Sequence, residues 1–313
     1  MHVLHISSSP LVGAPLRIAK ALNMHSSYCT SSAWCYKDYS GSKKGVFASH
    51  VYNRFKNKSS FEAAWEKADI IHVHNALPRK WQDKCRKVVG KKLVYQVHSP
   101  IGERPLYQPL SLRELDLPFS AYLVVAQYQP RFYPDYQLVP NIVPFETMSI
   151  PHIIHQKPVI LFTPTHRVTG RWVGKSSETF EKNLSSLKDL AHIQFYTGLS
   201  PKDLWQKRLQ AHITIDEVIT GGFHQVSLEG LAAGHGVVNN ADEFATSSFT
   251  HIFGEAPPFI RANEHNLCDV LMPYLKSPDL LADTQQKSHA YFRQHLHPSR
   301  TIQIFERLYS RIM

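Results

Sequence analysis

The chain has 313 residues, 43% of them hydrophobic and 19% charged, an ordinary globular composition long enough for two domains or one large one. No apolar run approaches 18 residues, so the sequence offers no membrane-spanning helix. The formal net charge is +10, and it is uneven: residues 1–150 carry 19 of the 35 Lys/Arg but only 10 of the 25 Asp/Glu.

The N-terminal MHVLHISSSP is too short and too mixed for a signal peptide and reads as a first strand over residues 3–6. Ser7–Ser9, Pro10 and Gly13 form a loop, and Pro15 suits the first turn of a helix over PLRIAKALN. Strand, Gly-containing loop and helix open a Rossmann-like unit, although GxGxxG is missing. Residues 30–60 are rich in Ser, Lys and Tyr and predict a weak strand with a surface loop. A helix over 61–67 and a buried strand over 69–74 (DIIHVH) follow. A helix over 79–89 comes next, then strands over 92–97 (KLVYQV) and 121–126 (AYLVVA), and a short one over 138–140. Short apolar strands alternating with helices predict a parallel sheet covered on both faces.

Pro144, Pro151 and Pro158, with His152, His155 and Gln156, interrupt the pattern as a linker. The alternation then resumes: strands over 159–162, 192–196 and 213–216, helices over 176–190 and 201–209. Further helices are predicted over 267–275, 279–295 and 301–313. The stretch 220–240, TGGFHQVSLEGLAAGHGVVNN, reads as a Gly-Gly turn, a helix over 224–233, a stop at Gly234 and a strand over 236–238. Gly221 and Gly222 allow backbone amides to approach a phosphate at a helix start. Glu229 lies within an otherwise apolar helix. It either faces water or has a partner such as ribose hydroxyls.

Cys29, Cys35, Cys85 and Cys268 are scattered without a CxxC pair, which predicts reduced thiols in a cytosolic protein. The positive excess gathers in Arg79, Lys80, Lys84, Arg86, Lys87, Lys91 and Lys92. It is either a solvated helix face or a patch for an anionic membrane, glycan or nucleic acid. No aromatic-interleaved or recognition-helix motif accompanies it, which disfavours nucleic acid.

In their order and spacing, HISSSPLVGAPLRIAKAL, ADIIHVHN, LVYQVHSP, LVPNIVP, ILFTPTHRVTGRWVGK and GGFHQVSLEGLAAGHGVV together resemble the GT-B glycosyltransferases, above all the retaining family-4 group. The resemblance spans nearly the whole chain. It implies an α/β protein with two Rossmann-like domains facing across a cleft: residues 1–147 for the acceptor, 156–295 for a nucleotide-sugar donor, and a helix at 296–313 crossing back to the first domain. It implies no cofactor and no catalytic metal. The pairs His72/His74 and His295/His297 read as buried or cleft-edge residues rather than metal ligands, although alternate strand positions share a face.

By resemblance, Glu229 is the second glutamate of an E-x7-E motif and binds the donor ribose. Gly222, Phe223 and His224 match the turn whose amides meet the diphosphate. Arg167 or Arg171, with Lys175, matches a basic pair on the same group, where fixed cations would stabilise the departing charge. Gly13 matches the loop approaching the diphosphate from the first domain, and His98 the histidine beside the donor sugar. The first glutamate of the motif would fall at position 221, where Gly221 stands. Asp216 and Glu217 are the nearest carboxylates to take its place, with Glu217 the catalytic candidate. The departure leaves the sugar and the retaining or inverting outcome open.

The reading that results is a cytoplasmic glycosyltransferase, peripheral at the inner membrane face through Arg79, Lys80, Lys84 and Lys87. It would move a sugar from a UDP-sugar to a glycan or lipid-linked acceptor in polysaccharide biosynthesis. The alternatives are a GT-B epimerase or phosphorylase-like enzyme, and a catalytically idle GT-B domain serving as a nucleotide- or glycan-binding scaffold.

Overall fold

A computed structural model describes residues 1–39, 47–48, 50–98, 115, 117–144, 157–164 and 177–313. The chain divides into two compact units, Met1–Pro144 with Pro298–Met313, and Phe145–His297. The Pro- and His-rich stretch expected as a linker lies, over 145–156, outside the described residues.

The first unit is built on a seven-stranded parallel sheet. Its strands are β1 (His2–Ser7), β2 (Thr30–Cys35), β3 (His50–Val51), β4 (Ile70–His74), β5 (Lys92–Val97), β6 (Ala121–Val125) and β7 (Gln137–Val139), in the order β3-β2-β1-β4-β5-β6-β7. Every residue of β1 and β4 is buried, as expected of central parallel strands covered on both faces. The Ser/Lys-rich stretch after residue 30 contributes more than a weak strand. β2 pairs with β1 along its whole length, from His2–Thr30 to Ser7–Cys35.

Between these strands run α1 (Ala14–His25), α2 (Lys58–Lys67) and α3 (Arg79–Arg86). Pro15 lies in the first turn of α1, where its missing N–H costs nothing. The chain's last helix, Pro298–Ile312, belongs to this unit. Its Ile302, Phe305, Leu308 and Tyr309 recur at three- and four-residue spacing and enter one buried cluster with Val3, Ile18, Leu22 and Ile70. Each such side chain contributes roughly 1.5–3 kcal/mol by leaving water. The expected return of the C-terminal helix to the N-terminal unit is therefore a core contact.

The second unit is a five-stranded parallel sheet of β8 (Val159–Phe162), β9 (His192–Phe195), β10 (Ile213–Ile215), β11 (Gly236–Asn239) and β12 (Ile260–Arg261), in the order β12-β11-β10-β8-β9. Its helices are α4 (Glu178–Ser186), α5 (Pro201–Arg208), α6 (Gln225–Ala232), α7 (Glu243–Phe253), α8 (Leu267–Lys276) and α9 (Pro278–Tyr291). A π-helical turn, Phe292–Leu296, then leads into α10 (Pro298–Ile312).

Gly230 lets α6 lie directly on the sheet. A Cβ there would stand 2.9 Å from Val237 Cγ2 and 3.1 Å from Thr214 Cβ. Gly230→Ala is expected to cost about 1–3 kcal/mol by overpacking, despite alanine's better helix propensity. Urea midpoints measure it, and an unchanged midpoint would show that α6 can lift from the sheet at no cost.

Candidate functional site

In the second unit the chain lays down β8 first, places β9 on one side of it, and returns to place β10 on the other. The point between β8 and β10, beyond their carboxyl ends, is where open α/β sheets bind ligands. The loop that follows β10 there, residues 216–224, is braced by its own carboxylates. Asp216 Oδ2 accepts from the His224 N–H (2.5 Å) and from Ser227 Oγ (2.9 Å), and so places a negative charge at the start of α6. Glu217 is buried and curls back to accept from the N–H groups of Ile219 (3.3 Å), Thr220 (2.8 Å) and Gly222 (3.1 Å).

These bonds correct two expectations. Glu217 does not stand in for a glutamate at 221, because both its oxygens build the turn. Burial raises its pKa, while His224 and the loop N–H groups act against that rise. The amides of Gly222 and His224 are likewise already engaged by carboxylates. The N–H groups of Gly221 and Phe223 have no partner among the described residues, but Phe223 is fully buried, so the half-buried Gly221 amide is the donor the turn keeps.

Gly221 adopts φ +82°, which favours glycine, and a Cβ on it would stand 3.0 Å from Asp242 Oδ2. Asp242 donates its N–H to the Gly221 carbonyl (2.9 Å) and caps α7 through Oδ1 on the Ala245 N–H (2.9 Å). The carboxylate nearest position 221 therefore comes from the following strand-to-helix turn. Its sequence signal was an Asp immediately before a helix, in NNADEF.

Glu229 projects from the second turn of α6. Its Oε2 accepts from Arg208 Nη2 at 3.0 Å, and Arg208, at the end of α5, is completely buried. Arg208 also reaches Thr214 Oγ1 at 3.3 Å. Burial lowers the guanidinium pKa, and Glu229 and then Asp216 counter that shift. The Glu229 side chain is 19% exposed, and Oε1 has no partner among the described residues. The arrangement is thus a carboxylate fixed on one side and open on the other. Arg208 escaped the sequence reading because a fully buried arginine is rare and its partner lies 21 residues away. Arg167, Arg171 and Lys175, expected to hold the diphosphate, lie outside the described residues.

In the first unit the corresponding switch point lies between β1 and β4. Beyond β1, Leu11, Val12 and Gly13 all have positive φ (49°, 52° and 83°), and the Val12 carbonyl accepts from Arg17 Nη1 at 2.8 Å. Gly13 thus sits in a tight, strained loop. His98 follows β5. Its N–H donates to Asn75 Oδ1 (2.8 Å), its carbonyl accepts from Gln129 Nε2 (2.9 Å), and its Nε2 stands 2.8 Å from His74 Nδ1. Burial, then the nearby Arg17 cation, pulls its pKa down to about 3. His98 is therefore a neutral hydrogen-bonding group at pH 7 and a weak proton acceptor.

The basic patch is smaller than its sequence suggests. On α3, Trp81 and Cys85 face inward, while Arg79, Lys80 and Lys87 are exposed. Lys84 is not free for an anion: it pairs with Glu62 and lies over the Trp65 ring. Lys91 reaches the carbonyls of Glu66 and Ala68. Of the pair at the end of the second unit, His295 sits 3.1 Å from Glu255 Oε2 and packs on Tyr291.

No family model and no curated protein matches the sequence. Solved structures do, end to end. Anabaena HepE in complex with UDP and glucose superposes with a TM-score of 0.66 at 12% identity, covering 99% of this chain and 100% of that one. Sucrose-phosphate synthase from Thermosynechococcus elongatus gives 0.60 at 12% identity, covering 100% and 99%. An alpha-glucosyltransferase in complex with UDP-glucose and DNA containing an abasic site gives 0.61 at 10% identity, covering 100% and 99%. The chain has the GT-B fold. At these identities the likeness concerns architecture, and GT-B chemistry at this site has to be argued from the residues.

Proposed function

We propose that the protein is a GT-B glycosyltransferase similar to family 4, moving a sugar from a nucleoside diphosphate donor, UDP first, to a glycan or lipid-linked acceptor. The observation that carries this reading is Glu229: one oxygen is held by buried Arg208 and the other left open, on the helix that follows the Gly221–Gly222 turn at the switch point of the second sheet. A carboxylate set in this way suits two vicinal ribose hydroxyls, each of which donates to an ionised acceptor. The unpaired, half-buried amide of Gly221 suits a phosphate oxygen. Arg167 or Arg171, with Lys175, supplies the cations that stabilise the diphosphate as it departs. HepE and the alpha-glucosyltransferase were solved with UDP or UDP-glucose, which supports UDP as the first nucleotide to try.

In this reading His98 and Gly13 remain the first unit's candidate ligand-binding residues. Arg79, Lys80 and Lys87 offer an anionic surface three exposed cations, and no helix among the described residues is long and apolar enough to cross a membrane. The space beside Gly221 favours one other reading. With Asp242 where a glutamate side chain would go, the domain binds nucleotide sugar without transferring it.

A screen of nucleotides and nucleotide sugars separates these outcomes. UDP at about 100 times its Kd is expected to add roughly 2.7 kcal/mol of stability, with GDP adding less. UDP-sugars are expected to be hydrolysed slowly without acceptor. Binding without any sugar release supports the scaffold reading, and failure of every nucleotide to stabilise the protein removes both.

A further inference from the structure

Four imidazoles converge in the core of the first unit. His5 of β1 lies opposite His72 of β4 in register, and His74 occupies the same face two residues on. His5 Nδ1 stands 2.8 Å from His74 Nε2, and His74 Nδ1 stands 2.8 Å from His98 Nε2. His72 Nδ1 branches away to the Tyr309 hydroxyl of α10, also at 2.8 Å. His5, His72 and His74 are fully buried. Among the described residues they are the group whose nitrogens come near enough together to suggest a metal ion. The spacing argues for hydrogen bonds instead. Two nitrogens on one tetrahedral zinc stand about 3.3 Å apart, whereas both contacts here are at N–H···N distance and both His74 nitrogens are used.

A neutral imidazole has one N–H, so the line His5–His74–His98 can run in only two directions. If it runs inward, His98 donates to His74, His74 to His5, and the His5 proton is left on Nε2. That atom is buried and has no partner, so a donor would be orphaned in the core. If it runs outward, His5 Nδ1–H donates to His74 Nε2 and His74 Nδ1–H donates to His98 Nε2. His5 Nε2 is then a bare ring nitrogen and His98 carries its proton on Nδ1. Burial holds His5 and His74 neutral, which the outward direction requires.

We propose that His5 and His74 are positioning residues that lock His98 as its Nδ1–H tautomer, so that His98 presents a neutral donor to a ligand oxygen. The ligand atom it recognises is therefore an acceptor: a sugar hydroxyl oxygen or a phosphate oxygen. With Nε2 occupied and Nδ1 protonated, His98 has no lone pair with which to accept an acceptor's proton. The identity of that ligand rests on the proposed function; the tautomer does not.

Long-range 1H–15N correlation spectra of the full chain with labelled histidine, at pH 7.5, read the tautomers directly, His98→Gln assigning the His98 signals. The expected result is a protonated Nδ1 and a bare Nε2 on His98, and the same on His5. In His5→Phe the relay loses its first donor, and His98 becomes a mixture of both tautomers. His5→Asn can donate its amide N–H from near the place of Nδ1 and restores the single form. A protonated Nε2 on His98 in the intact protein overturns the proposal, as does a His98 tautomer unchanged in His5→Phe. Should His5→Phe not fold, the intact protein's spectrum decides alone. With a UDP-sugar, turnover is expected to fall roughly tenfold in His5→Phe, the scale of one hydrogen bond, and to return in His5→Asn. Absence of turnover in every variant, the intact protein included, counts against the glycosyltransferase reading and leaves the spectral result standing.

Discussion

Lowering the pH from 7 to 5 is expected to remove about 4 kcal/mol of stability through His5 and His98 alone, or about 2 kcal/mol for each imidazole. Both have folded pKa values of about 3, against 6.5 when exposed. A lowered folded value means that the unfolded chain binds more protons between pH 6.5 and 3. The stabilisation is therefore complete above pH 6.5 and is lost as the pH falls towards 3. His72 and His74 act in the same direction, both held neutral by burial. The groups facing them reinforce this: His2 is itself shifted down, Arg17 is a cation, and the Tyr309 hydroxyl is held protonated. Urea unfolding at pH 7, 6 and 5, with His5→Phe as the variant lacking one proton site, gives the slope. Stability that stays flat from pH 7 to 5 would contradict the buried neutral cluster.

Glu229→Ala is expected to destabilise the second unit by about 3–5 kcal/mol, because it strands the Arg208 guanidinium in the core without its counter-charge. Converting both partners to apolar residues, Arg208→Met with Glu229→Leu, is expected to recover most of that loss, since neither charge then stays buried alone. A single variant that is as stable as the parent would mean that Arg208 finds water or another anion. The recovered double variant also separates folding from binding: it keeps the fold and lacks the carboxylate proposed to hold ribose.

The sequence made the architecture legible because parallel sheets write themselves plainly. DIIHVH, KLVYQV and AYLVVA stand out as apolar runs between helices, and all but their first one or two residues are buried. What it hid were relations across long separations. HxH on β4 signalled a shared face, but His5, in register with His72 from 67 positions away, completes the cluster only when β1 pairs with β4. Glu217 and Asp216 looked like available carboxylates, yet a short acid at the end of a strand can fold onto its own loop amides, and both do. Glu243–Phe253 went unread as a helix because its Ser and Thr weaken the apolar period, while its Asp242 cap turned out to fill the space beside Gly221.

The proposed function requires Glu229 to grip the ribose of a nucleotide donor. Calorimetric titration with UDP and with 2′-deoxy-UDP, on the parent and on the Arg208→Met, Glu229→Leu double variant, examines that contact alone. The parent is expected to prefer UDP by about 10- to 100-fold, the worth of a hydrogen bond to a charged group, and the double variant to bind both alike and weakly. Equal affinity of the parent for the two nucleotides, or a preference for UDP retained in the folded double variant, would contradict it.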